Sequence, residues 1–276
     1  MCNPDGVDNV QHLVKKFIRV GAGVGFYGDA WEPVLASIER GGVQYIASDH
    51  LDELTLAIFQ KDLQRDVSLG CARDVVPMLM RLWPAMAQRK VRFICNAGGL
   101  NPAGAAAAVP AAFAEKGWKA RVAVVTGDEV LQQVKDLAPA HMFKAGSFDL
   151  VRERMVFANA YLGARLIVSA LELGADIVIT GRVADAALFL GPLVHEFNWN
   201  LGDGEAAVAQ DLNRLAQGLA VGHLLECLGQ GSGGNFGSLQ APAHEGAQDA
   251  AAQGGLHLGH SSLINAAGRM KNHCAR

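Results

Sequence analysis

The chain has 276 residues, of which 50% are hydrophobic and 18% are charged, and its formal net charge is −3. This composition supplies enough apolar side chains for a sizeable core and argues against global disorder. With 24 basic and 27 acidic residues, the chain has no basic field that would bind nucleic acid through its phosphates.

Targeting and redox signals are weak. The N-terminal residues lack the apolar segment of a signal peptide, and the longest uncharged stretch, 93–114, is interrupted by Asn, Gly and Pro. The five cysteines form no CxxC pair, which is typical of reduced thiols. We therefore expect a cytoplasmic protein that is not inserted in a membrane.

Short apolar runs alternate with longer helical patterns along the chain. Each run is too short for a helix and is followed by Gly, Asn or Asp, as expected for strands buried on both faces of a parallel sheet. The predicted strands are Phe17–Val20, Gln44–Ser48, Val91–Cys95, Arg121–Thr126 and Asp176–Thr180. We predict an α/β fold in which a mainly parallel sheet is flanked by helices on both faces, a Rossmann-like layered architecture.

The helical patterns lie between these strands. In the first, Trp31, Val34, Leu35 and Ile38 form one apolar stripe, Asp29 is expected to cap the start, and Gly41 to end it. Further helices are predicted over 51–63, over 75–86 with a kink or a break near Pro77 and Pro84, over 102–115, over 150–173, after Thr180, and over 211–228.

The last forty residues differ from the rest. They contain no clear strand pattern and no aromatic residue after Phe236. We predict an α/β domain over residues 1–236 and a divergent, loosely ordered tail over residues 237–276.

Polar residues and glycines follow the carboxyl ends of all five predicted strands. Parallel strands bring these ends to one edge of the sheet, and open α/β sheets bind ligands in the crevice outside that edge. The predicted catalytic residues are Asp49, Asp128, Arg182 and Asp185. The predicted ligand-binding residues are Gly21, Gly23, Gly25, Gly28, Asp29, Asn96, Gly98, Gly99, Asn101, Thr126, Gly127, Asn159, Thr180 and Gly181.

The first of these loops contains Gly23-x-Gly25-x-x-Gly28 between a strand and a helix, and Asp49 lies about where a dinucleotide fingerprint requires an acidic residue. Three interpretations stay open: a dinucleotide cradle, a site of another kind, and a tight turn that needs glycine for its backbone.

Arg182 and Asp185 form the most suggestive pair. An arginine suits a carboxylate or phosphate. Asp185, one turn later, could orient the arginine or act as a base; a local ion pair at a helix start is the alternative.

His223 and Glu226 share a helix face, but no third ligand is evident and no metal is predicted. Asn159 and Tyr161 are placed on a helix. A nucleophile elbow and a phosphate-binding P-loop are both missing from the sequence.

The segments VGAGVGFYGDAWEPVLASIERGGVQYIASD, NAGGLNP, VAVVTGD, ANAYLGA, ADIVITGRVADAALFLGPLVHEFNW and VGHLLECLGQGSGGNF occur in this order. Together they resemble the acyclic terpene utilisation (AtuA) family from about Ile18 to Phe236. The last segment departs from the family's usual Thr-Gly-Gly-Tyr-Phe pattern, reading Ser232-Gly-Gly-Asn-Phe236. Family members are normally longer, so a truncated or altered C-terminus is expected after Phe236.

The resemblance implies a role in the bacterial breakdown of acyclic terpenoids such as citronellol and geraniol through branched acyl-CoA intermediates. The expected function is a catabolic enzyme, with a C–C lyase acting on a 3-hydroxy acyl-CoA as the specific hypothesis. The alternatives are a non-catalytic ligand-binding subunit that supports an acyl-CoA carboxylase, and an NAD(P)-dependent dehydrogenase. The expected partners are a small-molecule substrate, with a second copy of the chain or a carboxylase as further candidates. Neither a metal nor a dinucleotide is firmly implied.

Overall fold

Five parallel strands form the centre of the computed structural model, which describes residues 17–137, 147–202 and 211–228 and the backbone of residues 261–264. The strands are β1 (Ile18–Ala22), β2 (Tyr45–Ser48), β3 (Arg92–Cys95), β4 (Val122–Val125) and β5 (Ile177–Thr180). Strand β6 (Ser261–Ile264) adds to β1 in the antiparallel direction. The predicted α/β fold is confirmed, and β1 to β5 lie within two residues of the predicted strands, whereas β6 was not predicted.

The strand order is β4-β5-β3-β2-β1-β6. The chain moves across the sheet from β1 to β3, jumps to β4 at the far edge, and returns to β5. The connections after β1, β2 and β3 place helices on one face, and those after β4 and β5 place helices on the other. The loops after β3 and β5 therefore diverge between two neighbouring strands. This divergence creates the crevice in which open α/β sheets bind ligands.

Nine helices occur in the described ranges. They are α1 (Glu32–Arg40), α2 (Glu53–Arg65), α3 (Val75–Arg89), α4 (Pro102–Ala114), α5 (Leu131–Leu137), α6 (Asp149–Arg152), α7 (Arg165–Glu172), α8 (Ala187–Phe197) and α9 (Leu212–Glu226). One hydrophobic core packs α1 to α4 against the sheet, and a second packs α7 and α8 against the opposite face. Burial of apolar side chains on both faces explains why the strands read as continuous apolar runs.

Two local predictions about helices need correction. Helix α3 is continuous through Pro77 and Pro84, so the predicted break is wrong, whereas a kink there stays a prediction. Pro77 lies in the first turn, where the amide has no helical partner, and Pro84 lies on the exposed side. Asp29 does not cap α1: the helix begins after Trp31, and Asp29 accepts hydrogen bonds from the amides of Gly25 and Ala30 instead.

The predicted helix over 150–173 is also wrong, because its middle is extended. Only α6 and α7 are helical, and residues 155–164 run between them as a strap across the carboxyl edge of the sheet. The amide of Ala160 donates to the carbonyl of Asp128 at 2.6 Å, and that of Leu162 donates to Arg182 at 3.4 Å. Tertiary hydrogen bonds have replaced helical ones here, so Asn159 and Tyr161 lie on the strap and not on a helix.

The predicted tail over 237–276 lies outside the described residues except for β6, which pairs with β1 from Ile18 to Gly21. The division into two domains therefore stays a prediction. No helix in the described part of the chain is both long enough and apolar enough to cross a bilayer.

Candidate functional site

Asp49 and Asn96 are the first residues after two adjacent strands. The register pairs Ser48 with Cys95, so the next residue of each strand arrives at the same level of the sheet edge. The Nδ2 of Asn96 donates to Oδ1 of Asp49 at 2.6 Å, and the amide of His50 donates to Oδ1 of Asn96 at 2.6 Å. Asn96 is fully buried, and both ends of its amide are engaged. It therefore holds Asp49 in one orientation.

Two further carboxyl groups converge on Asp49. Asp185 comes from the connection between β5 and α8, and Glu226 is the last residue of α9. One side-chain oxygen from each of the three residues lies within 4.8 Å of the other two. We call these three residues the carboxylate cluster. Among the described residues, they form the set of acids that lie close enough to share one proton or one cation.

The carboxylate cluster has unusual electrostatics. Burial raises the pKa of Asp49 to about 8, and the charge of Asp185 adds to this effect. Burial also raises the pKa of Asp185, and the guanidinium of Arg182 offsets part of the increase. Three acids this close cannot all ionise without strong repulsion, so the cluster retains a proton near neutral pH.

Arg182 lies next to the carboxylate cluster and is only 4% exposed. Its Nη1 donates to the carbonyl of Leu51 at 2.8 Å, and its Nη2 lies 3.2 Å from Oδ1 of Asp185 at angles outside hydrogen-bond geometry. Its Nε has no hydrogen-bond partner among the described residues. A buried arginine with a free donor is a strong binding group for an anionic oxygen.

Tyr161 of the strap covers Arg182. The ring centre lies 4.1 Å from the guanidinium carbon, which is a cation–π contact. The hydroxyl of Tyr161 donates to Oε1 of Glu53, at the start of α2, at 3.1 Å. A backbone hydrogen bond within Glu53 and this hydroxyl together lower the pKa of Glu53. Tyr161 therefore links the strap to α2 across the top of Arg182.

Asp128 has a structural task. Its Oδ2 accepts hydrogen bonds from Nδ2 of Asn159 at 2.8 Å and from the backbone amide of Arg182 at 2.7 Å. It is buried, and a Cβ on Gly181 would collide with its carboxylate. Asp128 thus ties the strap to the loop after β5. This geometry favours a positioning role for Asp128 over the catalytic role predicted for it.

A cavity of about 320 Å³ lies beside this network, between α2, the start of α4 and the strap. Asp128 and Asn159 line it, together with Gln60, Leu63, Gly99, Leu100, Asn101, Pro102, Ala103, Thr126, Gly127, Glu129, Val156 and Phe157. None of the three residues of the carboxylate cluster lines it. The cavity and the cluster are therefore separate parts of one sheet edge, connected through Arg182, whose amide donates to Asp128 and whose side chain lies beside Asp185.

The first three backbone amides of the glycine turn after β1, those of residues 23–25, donate hydrogen bonds within the fold. The amide of Gly23 donates to Ala47, that of Val24 to the hydroxyl of Ser48, and that of Gly25 to Asp29. A phosphate cradle needs such amides to be free. Gly23 is required because a Cβ there would lie 2.4 Å from the Cβ of Ser48, and Gly28 has a φ of +92°. This geometry favours a tight packing turn over a dinucleotide site.

The other predicted ligand-binding residues have distinct places. Gly21 is part of β1 and does not lie in the turn after it. Asn101 caps α4 by accepting from Gly104, and it donates to the carbonyl of Leu69. Thr180 is buried and donates to the carbonyl of Gly181. Gly98 is buried beneath Pro102, whereas Gly99, Thr126 and Gly127 line the cavity. Binding of a ligand by these residues stays a prediction.

Three residues near the site were not among the predicted site residues. Glu226 was considered only with His223, because sequence spacing on one helix gives no sign that Asp49 and Asp185 lie beside it. Tyr161 was assigned to a helix. His50 is fully buried, with Nε2 3.1 Å from the hydroxyl of Ser48 and Nδ1 without a partner among the described residues. Burial lowers the pKa of His50 to about 3, so it is neutral at physiological pH.

The family model of the acyclic terpene utilisation family protein AtuA matches residues 18–253, which is well over half of the chain. The chain therefore belongs to this family, and membership assigns it a part in acyclic terpene utilisation. The match extends past Phe236, where the resemblance was expected to stop. No curated protein and no solved structure matches the chain.

Proposed function

We propose that the chain is a catabolic enzyme that breaks a carbon–carbon bond in a branched 3-hydroxy acyl-CoA by acid–base catalysis. The observation that supports this proposal is the convergence of Asp49, Asp185, Glu226 and Arg182 at the point where the loops after β3 and β5 diverge. A buried carboxyl group with a pKa of about 8 is suited to exchange protons near neutral pH.

Asp49 is the proton-transfer residue in this mechanism. Its carboxylate takes the proton from the substrate's 3-hydroxyl, and the C3–O bond becomes a carbonyl as the C2–C3 bond breaks. The electron pair of that bond moves into the thioester as an enolate, and the proton returns from Asp49 to C2. The products are a carbonyl compound and a shorter acyl-CoA, so atoms and charge balance without a co-reactant.

Arg182 and the other acids control the charge at this site. The free Nε–H of Arg182 is the donor that binds the developing enolate oxygen or a substrate carboxylate. Burial, the charge of Asp185 and a side-chain hydrogen bond with Glu226 together keep the pKa of Asp49 high. Asn96 fixes the direction in which Asp49 presents its carboxyl group.

The test is turnover of 3-hydroxy-3-isohexenylglutaryl-CoA, followed by mass spectrometry of the released acyl-CoA. Asp49→Asn should lower the rate by about 100-fold or more, which is the usual contribution of a positioned acid or base. Glu39→Gln, which replaces an exposed acid on α1, should leave it unchanged. A chain that does not turn over this thioester, or an Asp49→Asn variant that is fully active, would contradict the proposal.

The two alternative functions have separate tests. A carboxylase-supporting subunit would copurify with a stoichiometric partner and show no turnover alone. A dehydrogenase would be stabilised against heat by millimolar NAD or NADP. The internally bonded amides of the glycine turn weigh against the dehydrogenase.

A further inference from the structure

We infer that the 320 Å³ cavity beside Asp128 is the subsite for the branched hydrocarbon chain of the substrate, and we call it the chain cavity. This inference rests on the proposed function for the identity of the reacting group. It adds where the apolar part of the ligand lies and which residues select it.

The walls of the chain cavity are mainly apolar. Leu63 of α2 and Ala103 of α4 form two sides, and Val156 and Phe157 of the strap form a third. An apolar chain placed there leaves water at a gain of about 25 cal/mol for each Å² buried. Polar or charged metabolites of the same size would gain nothing from these walls.

The size of the chain cavity limits what it can hold. Its volume is at the lower end of the range of about 300–1,000 Å³ found for small-molecule pockets. It can hold a hydrocarbon branch, but it is too small for a complete acyl-CoA. The nucleotide part of such a thioester must therefore lie outside it, and only the terpenoid chain fits within.

Hydrogen bonds connect the polar lining of the chain cavity to the catalytic groups. Asn159 lines the cavity and its Oδ1 is buried without a partner among the described residues, which leaves an acceptor for a ligand hydroxyl. Asp128 also lines the cavity, and its Oδ2 accepts a hydrogen bond from the backbone amide of Arg182. The side chain of Arg182 then extends to Asp185 in the carboxylate cluster. A ligand with its chain in the cavity thus has Asn159 and Asp128 among the polar groups that its functional end can reach.

The test uses geraniol as an apolar ten-carbon probe and glucose as a polar molecule of similar size, titrated by calorimetry. Ala103→Phe fills the cavity from α4, and Gln60→Trp fills it from α2. Ala108→Phe adds the same ring to another exposed position of α4 that does not line the cavity. Ala103 is exposed, so its replacement should not disturb the core.

Geraniol should bind the unmodified chain and Ala108→Phe with equal affinity. Each of the two filling variants should bind geraniol at least 10-fold more weakly. Glucose should not bind. Geraniol that fails to bind, that binds the filling variants unchanged, or that binds no better than glucose would overturn the inference. Geraniol carries no thioester and is not turned over, so its binding reports on the chain cavity alone, and a failure of the chain cavity and a failure of the proposed catalysis give different results.

Discussion

The side-chain amide of Asn96 donates a 2.6 Å hydrogen bond to Asp49 across the ends of two neighbouring parallel strands. This bond lowers the pKa of Asp49, against the larger opposing effect of burial. Asn96 is thus a positioning residue that acts through Asp49, and its effect can be measured as a change in pH dependence.

Asn96→Ala should move the pH–rate profile of the proposed lyase to higher pH. Without the donated hydrogen bond, Asp49 becomes harder to ionise, so the rise in rate that accompanies its deprotonation needs more alkaline conditions. The variant also leaves the amide of His50 without its acceptor, which should cost about 1–3 kcal/mol of stability. The control Asn101→Ala removes the cap of α4 and should cost about 1 kcal/mol without moving the pH midpoint. An unchanged midpoint in Asn96→Ala would argue against Asp49 as the titrating group.

Asp49→Asn should change how stability depends on pH. The pKa of Asp49 is about 8 in the folded chain and about 3.8 when unfolded, so between these values the unfolded chain binds fewer protons. The free energy of unfolding must then fall as pH rises from about 4 to about 8, by up to about 1.4 kcal/mol per unit, and level off above. Urea unfolding from pH 5 to pH 9 should show this fall in the unmodified chain but a weaker one in Asp49→Asn. If the free energy of unfolding fell equally steeply with pH in both chains, the raised pKa would not belong to Asp49. The exposed control Asp66→Asn should show the same pH dependence as the unmodified chain.

Arg182→Ala should be strongly destabilising. The substitution leaves the carbonyl of Leu51 without its donor and Asp185 without its neighbouring cation. Breaking a buried pair from one side typically costs about 3–5 kcal/mol. Arg182→Lys keeps the charge but cannot reach both the Leu51 carbonyl and Asp185, so its loss of stability should be intermediate. The exposed pair Arg214–Asp211 provides the control, since Arg214→Ala should change stability by no more than about 1 kcal/mol in urea unfolding. Equal effects at the two arginines would mean that Arg182 is not engaged as described.

Gly23→Ala should destabilise the chain through a steric clash. The added Cβ would lie 2.4 Å from the Cβ of Ser48, and overpacking of this kind costs about 1–3 kcal/mol. The matched substitution Gly163→Ala, on the strap, meets no atom within 4 Å and should be neutral or slightly stabilising. Thermal melting of both variants tests this difference. A well-tolerated Gly23→Ala would mean that the turn and β2 are not as closely packed as the structure has them.

Much of the edge of the sheet could be predicted from the sequence. Buried strands read as continuous apolar runs, and the residue after each run is the first to reach the carboxyl edge. Asp49, Asn96 and Arg182 were assigned to one site for this reason. The contact between Asp49 and Asn96 depends on the register of β2 with β3. The approach of Arg182 to them could not be predicted, because it depends on β3 and β5 being neighbours although β4 lies between them in sequence. No local pattern encodes that order.

The strap and α9 show where local patterns stop being informative. Residues 155–164 have apolar spacing compatible with a helix, but backbone hydrogen bonds to Asp128 and Arg182 outweigh that preference. Glu226 is an ordinary helical residue by its spacing, and only the docking of α9 brings it to Asp49. Tertiary contacts, and not propensity, therefore determine both the cover of the site and its third acid.

The carboxylate cluster draws its members from distant parts of the chain, at positions 49, 185 and 226. During synthesis, Asp49 emerges from the ribosome early, before most strands of the sheet have been made. The nascent protein can complete β1 to β5 before Glu226 has emerged, so the acids meet only after the sheet has formed. The free-energy cost of their mutual repulsion consequently falls on the last step of folding and does not affect the nucleation of the core.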